Sequence, residues 1–383
     1  MIYLDHPATS WPKPPVVIQA IKDFLDAAGG NPGRSGHRLS IAAGRIVHET
    51  REALAGLFGV ARADRVIFAH NATHALNMAI HTILQPGDTV LTTSVEHNSV
   101  MRPLRAAQAR GVRLLIAPCD STGAIDLDAF RKLAGQGVRL VVMTHASNVI
   151  GRIMPISHLC QIAQASGALT LVDAAQTAGA MPVNARQTYA DFIAFTGHKS
   201  LQGPPGTGGL VLCTDRAECE IYPFMQGGTG SRSQSEEHPD VLPDRLESGT
   251  PNGAGIAGLG AAVRWNRSSE CDSQHERQAH LMEYLIGGLM NISGVEVFGP
   301  KAAVDRAPLV SFRVSNKYVS EVGHRLDEDY GILCRVGLHC APAAHKTLGT
   351  FSEGAVRFGV GPFTSRDDVS RAIEAVSEIA RDG

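Results

Sequence analysis

Asp191-Phe192-Ile193-Ala194-Phe195-Thr196-Gly197-His198-Lys199-Ser200 carries an apolar segment into a glycine, a histidine and a single lysine, just ahead of the Gly/Pro-rich run 203–209. The residues from Asp191 to Phe195 read as a short buried strand. A lysine at the end of such a strand, beside glycines, is placed to leave water and face a pocket. Desolvation disfavours its charged form and lowers its pKa, which a Schiff-base lysine needs. On its own, Lys199 reads more readily as a solvated loop lysine. Its surroundings decide the matter.

Upstream, short apolar runs alternate with helical stretches: Val66-Ile67-Phe68, Thr89-Val90-Leu91, residues 112–116, Leu140-Val141-Val142-Met143 and Leu169-Thr170-Leu171-Val172. That rhythm predicts an α/β fold whose parallel strands are covered on both faces. Ligands of such folds sit beyond the carboxyl ends of the strands. Polar groups gather at those ends: Asn71-Ala72-Thr73-His74, Glu96-His97-Asn98-Ser99, His145-Ala146-Ser147-Asn148 and Asp173-Ala174-Ala175-Gln176. Any one of them makes an ordinary helix cap or turn. Four in succession, followed by the lysine, ask for another explanation.

A phosphate cradle, an acid at a strand end and a desolvated lysine together describe a pyridoxal phosphate site. In this reading the helix start at Asn71, Ala72 and Thr73 holds the phosphate. Asp173 keeps the pyridine nitrogen protonated, and Lys199 bonds the aldehyde carbon. His97 covers a ring face, Asn148 and Gln176 reach the ring hydroxyl, and Thr196 and His198 join Thr73 on the phosphate.

A chain of 383 residues exceeds what one core usually supports, so a large and a smaller domain are expected. With 44% hydrophobic residues, 19% charged and a net charge of -2, neither nucleic acid nor an anionic membrane is indicated as a partner. No apolar run approaches the ~20 residues of a bilayer span, and Met1-Ile2-Tyr3-Leu4-Asp5 lacks the features of a signal peptide. The expected location is the cytoplasm. Seven cysteines (Cys119, Cys160, Cys213, Cys219, Cys271, Cys334, Cys340) are odd in number, scattered and free of Cys-x-x-Cys pairs. That speaks against a disulfide framework and against a metal site.

Residues 1–14 read as an arm. Val17, Ile18, Ile21, Phe24 and Leu25 fit one helical face. A Gly-rich break at 29–33, with Arg34, Ser35 and His37 lining a cleft or solvated, leads into a second helix ending near Phe58. Residues 226–251 form a polar active-site or interface loop. Strands near 309–313 and at Val356-Arg357-Phe358, with a final helix from Arg366, belong to the smaller domain.

With these motifs assembled, the chain resembles the cysteine desulfurase and selenocysteine lyase-like branch of the class V, fold type I aminotransferases. Tyr3-Leu4-Asp5, Thr196-Gly197-His198-Lys199, Glu247-Ser248-Gly249-Thr250-Pro251-Asn252 and Arg335-Val336-Gly337-Leu338-His339-Cys340-Ala341 add to the strand-end motifs, and the resemblance covers nearly the whole length. It implies a mainly parallel seven-stranded sheet flanked by helices, in a pyridoxal phosphate domain over 15–255. A smaller α+β domain would comprise 1–14 and 256–383. It also implies a homodimer with shared active sites, in which Thr250 reaches the partner's cofactor phosphate. The activity implied is conversion of L-cysteine to L-alanine, with sulfur passed to Cys340 as a persulfide and on to an acceptor protein. A cation favours the thiolate this needs, and Arg335 and His339 are the nearby candidates. Arg357 matches the substrate-carboxylate arginine, a task for a fork of donors. Three departures from the branch are His6-Pro7, Leu338 and Thr364-Ser365. An aminotransferase, epimerase or other C–S lyase on the same cofactor, or a non-catalytic scaffold on the same fold, are the competing readings.

Overall fold

The computed structural model describes residues 1–33 and 35–382, without the side chains of residues 269–273; Arg34 and the side chain of Cys271 thus lie outside its described residues. The arm opens with β1 (Ile2–Tyr3), followed by helices α1 (Pro15–Ala27) and α2 (Arg38–Phe58). The main sheet follows, as β2 (Val66–Ala69), β3 (Thr89–Thr93), β4 (Arg113–Ala117), β5 (Val138–Thr144), β6 (Leu169–Asp173), β7 (Phe192–Thr196) and β8 (Gly208–Leu212). Its seven strands lie in the order β2-β8-β7-β6-β5-β3-β4. Pairs among β3 to β7 are parallel.

Strand β7 shows why these residues extend. Phe192 and Ala194 join the apolar cluster on one face, with Leu76, Ile80 and Val142. Ile193 and Phe195 join the cluster on the other, with Leu54, Phe58 and Phe130. Side chains alternate faces along a strand, so an unbroken apolar run is what a doubly covered strand requires. Each large side chain buried this way contributes about 2 kcal/mol.

Strand β8 is the one reversed strand of an otherwise parallel sheet, which is therefore mainly parallel, as expected, and it takes in the last two glycines of the run 203–209. It pairs antiparallel with both β2 and β7. Glycine is required where it starts: a Cβ on Gly209 would stand 2.5 Å from the Ile67 carbonyl oxygen and 2.7 Å from the Phe195 ring. Because β8 alone is reversed, β2 and β7 point the same way. The carboxyl ends of β2, β3, β5, β6 and β7 therefore share one edge.

A correction concerns α1. Its helix is as expected, but only Val17 and Phe24 are buried. Ile18 and Leu25 are exposed, as are Val16, Leu39 and Ile41. The helix Gly253–Asn266 packs on α1 and α2.

Beyond it, β9 (Val295–Phe298), β10 (Leu309–Val314), β11 (Ile332–Leu333), β12 (Arg335–Gly337) and β13 (Ala355–Gly359) follow. Four of them form an antiparallel sheet, β12-β13-β10-β9. Helix Arg366–Arg381 covers it, starting at a capping box formed by Ser365 and Asp368. Strand β1 pairs in parallel with β11, Ile2 opposite Ile332 and Tyr3 opposite Leu333. The arm thus forms a separate two-stranded sheet with β11, bridges to β13 at Asp5 opposite Gly359, and then crosses to the main sheet.

Candidate active site

One pocket of about 240 Å³ lies at the shared strand edge, closed by the arm and by β12 and β13. Asn71, Ala72, Thr73, His97, Asn148, Asp173, Gln176, Thr196, His198, Lys199, Arg335, His339 and Arg357 all line it. Two expected residues do not. Cys340 is exposed beside the pocket, and Thr250 lies in a separate cavity with Gly206 and Phe224, where Asn31 Nδ2 donates to its hydroxyl at 3.5 Å.

Lys199 is half-buried and lines the pocket, and the protein around its amine lowers its pKa from 10.5 to about 8. Burial drives that shift; Asp173 opposes it. Asp173 is buried and its pKa is raised by burial, offset by the Ala175 amide, which donates to Oδ1 at 2.9 Å, and by Lys199.

At the helix start the reading needs refinement. The Asn71 side chain accepts from the His74 amide at 3.0 Å, an ordinary N-cap. Its side-chain oxygen is spent there, so the Ala72 and Thr73 amides at the head of α3 (Ala72–Ile83) are the open donors. The Thr73 hydroxyl lies 2.7 Å from the Ser99 hydroxyl, which lies 2.8 Å from His97 Nδ1. His97 caps α4 (Asn98–Ala109), Nδ1 accepting from the Ser99 amide at 3.0 Å. Burial first, then Lys199, Arg335, Arg357 and Arg102, pushes its pKa down to about 3, so its ring is neutral.

Several expected cofactor contacts are taken by protein. Gln176 Nε2 donates to the Pro7 carbonyl at 3.1 Å, and Asn148 Nδ2 donates to the His339 carbonyl at 2.7 Å. His198 turns toward the arm: Nδ1 lies 3.1 Å from the Thr9 hydroxyl. Its carbonyl accepts from the Ser10 amide, the Thr9 and Ser10 hydroxyls and Lys13 Nζ, all within 3.1 Å. Pro7, one of the departures from the branch pattern, also lines the pocket.

The sulfur side differs in one respect from expectation. Arg335 Nη2 donates to Cys340 Sγ at 3.3 Å. His339 is no second cation: it is buried, Nε2 meets the Ala355 carbonyl at 3.1 Å, and burial holds its pKa well below 6.5. His339 and Cys340 both have left-handed backbone, φ 48° and 59°. Their carbonyls are strapped down, by Asn148 and by the Asn98 amide at 2.8 Å respectively.

Four buried atoms lining the pocket have no partner: Thr196 Oγ1, Asn148 Oδ1, His339 Nδ1 and Arg357 Nε. Unpaired buried polar atoms are costly and rare, and clustered ones mark where a ligand's groups belong. A free Thr196 hydroxyl, the open amides of Ala72 and Thr73, a one-bonded buried Asp173 and a depressed Lys199 fit the phosphate, ring nitrogen and aldehyde of pyridoxal phosphate.

Sequence reasoning quoted Asp5, Glu96 and Ser99 within motifs without giving them a role, and missed Lys13. Glu96 is fully buried, with Oε1 accepting from the Thr93 hydroxyl at 2.6 Å and the Thr144 amide at 3.0 Å. It ties β3 to β5 directly before His97. Burial raises its pKa to about 8. Lys13 donates to Ser10 Oγ at 2.7 Å, and burial lowers its pKa to about 8. An apolar neighbourhood around a charged residue was the signal available for Glu96; for Lys13 there was none.

The profile of the family described as "Aminotransferase class-V" matches residues 2–372. The chain belongs to the class V aminotransferases. A probable cysteine desulfurase of Methanothermobacter thermautotrophicus is 33% identical over 383 residues, 99% of this chain and 94% of the relative. A cysteine desulfurase of Dickeya dadantii is 32% identical, covering 100% and 92%. The apo structure of a cysteine desulfurase from Thermococcus onnurineus superposes with a TM-score of 0.92 at 31% identity, covering 99% of this chain and 94% of that one. Within the family, the chain stands in the cysteine desulfurase branch.

Proposed function

We propose that this protein is a pyridoxal phosphate-dependent cysteine desulfurase that converts L-cysteine to L-alanine and carries the sulfur away on Cys340. The observation that carries the reading is the placement of Arg335 Nη2 at 3.3 Å from an exposed Cys340 Sγ, beside the pocket lined by Lys199 and Asp173. Pyridoxal phosphate, when bound, supplies an electrophilic carbon and a ring that draws off the electron pair at the substrate's Cα. The Ala72 and Thr73 amides with the Thr196 hydroxyl receive its phosphate, and Asp173 holds the proton on its ring nitrogen. His97 covers the ring as a neutral face.

Lys199 Nζ, with its pKa near 8, is a free base in a useful fraction of molecules at neutral pH, and it takes and returns the proton at Cα. Arg357 binds the substrate carboxylate. Cys340 Sγ attacks the substrate's sulfur; the C–S bond breaks, an S–S bond forms, and the carbon that loses sulfur is protonated to alanine. The balance is L-cysteine plus thiol giving L-alanine plus persulfide. An exposed cysteine suits onward transfer to an acceptor protein. The exposed apolar side chains of Val16, Ile18, Leu25, Leu39 and Ile41 support a homodimer, with Thr250 serving the partner's site. The setting is the cytoplasm; among the described residues no helix is long and apolar enough to cross a membrane.

Incubation of the purified, cofactor-loaded protein with L-cysteine should give equimolar alanine and persulfide in the first turnover, with one added sulfur on the peptide containing Cys340. Alanine formed with no sulfur on that peptide would refute the assignment.

A further inference from the structure

The reaction above leaves the acid of the arm without a task. Arg357 is 1% exposed, and its guanidinium nitrogens are engaged unequally. Nη2 donates to Asp5 Oδ1 at 2.9 Å, Nη1 donates to the Asn148 carbonyl at 2.9 Å, and buried Nε has no partner. Asp5 is itself held firmly. The Gly359 amide, two residues beyond Arg357 on β13, donates to the Leu4 carbonyl at 2.7 Å, and the Ala8 amide donates to the Asp5 carbonyl at 3.0 Å. Only Oδ1 engages the arginine, so Asp5 takes a single N–H rather than an edge of the fork.

Charge points the same way. Arg335 and Arg357 face each other as register partners on β12 and β13. Like charges in that position repel. Two arginines and one aspartate sum to a single positive charge, which matches one carboxylate.

We propose that Asp5 is the positioning residue of the substrate-carboxylate subsite, pinning Nη2 of Arg357 so that the Nε–H edge is the one offered to an amino acid's α-carboxylate. This rests on the reading of Arg357 as the carboxylate receptor. A guanidinium free to turn would satisfy a carboxylate in several ways. One pinned at Nη2 and Nη1 fixes the plane of the incoming group, and with it the direction of Cα.

The test uses the loaded enzyme and two unreactive ligands, L-alanine and ethylamine, which differ by the carboxylate. Their dissociation constants are read from the cofactor's absorbance, beside kcat and KM for L-cysteine. Loss of a hydrogen bond to a charged group should weaken L-alanine and raise KM about tenfold in Asp5→Ala, with kcat changed less than about threefold and ethylamine unaffected. Asp5→Asn, whose amide oxygen still accepts from Nη2, should recover most of the loss. If Asp5→Ala does not fold, Asp5→Ser takes its place. An unchanged L-alanine constant, parallel weakening of ethylamine, or an Asp5→Asn as weak as Asp5→Ala would each overturn the proposal. Arg357→Gln separates the two levels: if it leaves L-alanine binding intact, the carboxylate reading itself falls and the role of Asp5 falls with it.

Discussion

In the proposed reaction, Lys199 and Cys340 serve one site from opposite kinds of surroundings. The lysine lines the pocket at the end of a doubly covered strand, and burial has taken its pKa from 10.5 to about 8. The cysteine is exposed, on a turn of two left-handed residues, with one arginine at its sulfur. The difference teaches what each group has to do. A base that returns to the same atom each cycle gains from enclosure, which tunes it and keeps water away. A sulfur carrier has to meet both the substrate and the next acceptor, so its side chain faces out while its backbone is tied down.

The comparison breaks first at the lysine. Lys199→Ala should cut alanine formation about 10³-fold and abolish the visible band of bound cofactor, checked by absorbance after gel filtration. Retained turnover would remove Lys199 from the chemistry. Cys340→Ser should cut sulfur release from L-cysteine by about 10²-fold or more. It should leave the cofactor band intact and the thermal midpoint within about 2 °C, as expected for an exposed side chain.

A third test sharpens the contrast through pH. In the cofactor-free chain, only the neutral amine of Lys199 reacts with an aldehyde. The rate of cofactor capture should therefore climb about tenfold per pH unit below 8 and level off above it. A climb continuing to pH 10 would mean that the amine is solvated. The smallest effect belongs to the strap on the cysteine's turn. Asn148→Ala removes one hydrogen bond to the His339 carbonyl, worth about 1 kcal/mol. Transfer to Cys340 should slow about fivefold, seen in single-turnover persulfide formation.

Most of this site was legible in the sequence because strand ends write themselves in period and polarity. Five apolar runs each stop at a polar group, and the sheet brings those stops to one edge. The lining residues from Asn71 to Lys199 followed from that rule, while Arg335, His339 and Arg357 came from the resemblance. What stayed hidden were partnerships across the chain. That Asn71 caps its own helix, that Gln176 spends its amide on Pro7, and that His339 turns inward to the Ala355 carbonyl depend on which backbone comes close. No local pattern encodes them. Strand β8 was missed for a different reason: its glycines, the usual punctuation of loops, are there because Ile67 and Phe195 leave no room for a side chain.

The pairing of β1 with β11 and the contact of Asp5 with Arg357 have a bearing on how the protein is made. Asp5 and Arg357 are 352 positions apart. At the usual pace of synthesis, the aspartate waits on the order of 20–70 s for its arginine to emerge. The main sheet, with Lys199 and its strand-end neighbours, is complete well before that. A nascent chain halted before β13 would therefore hold the parts that receive the cofactor and lack the parts that receive an amino acid. On the proposed reading, turnover waits until the first residues have found the last strand.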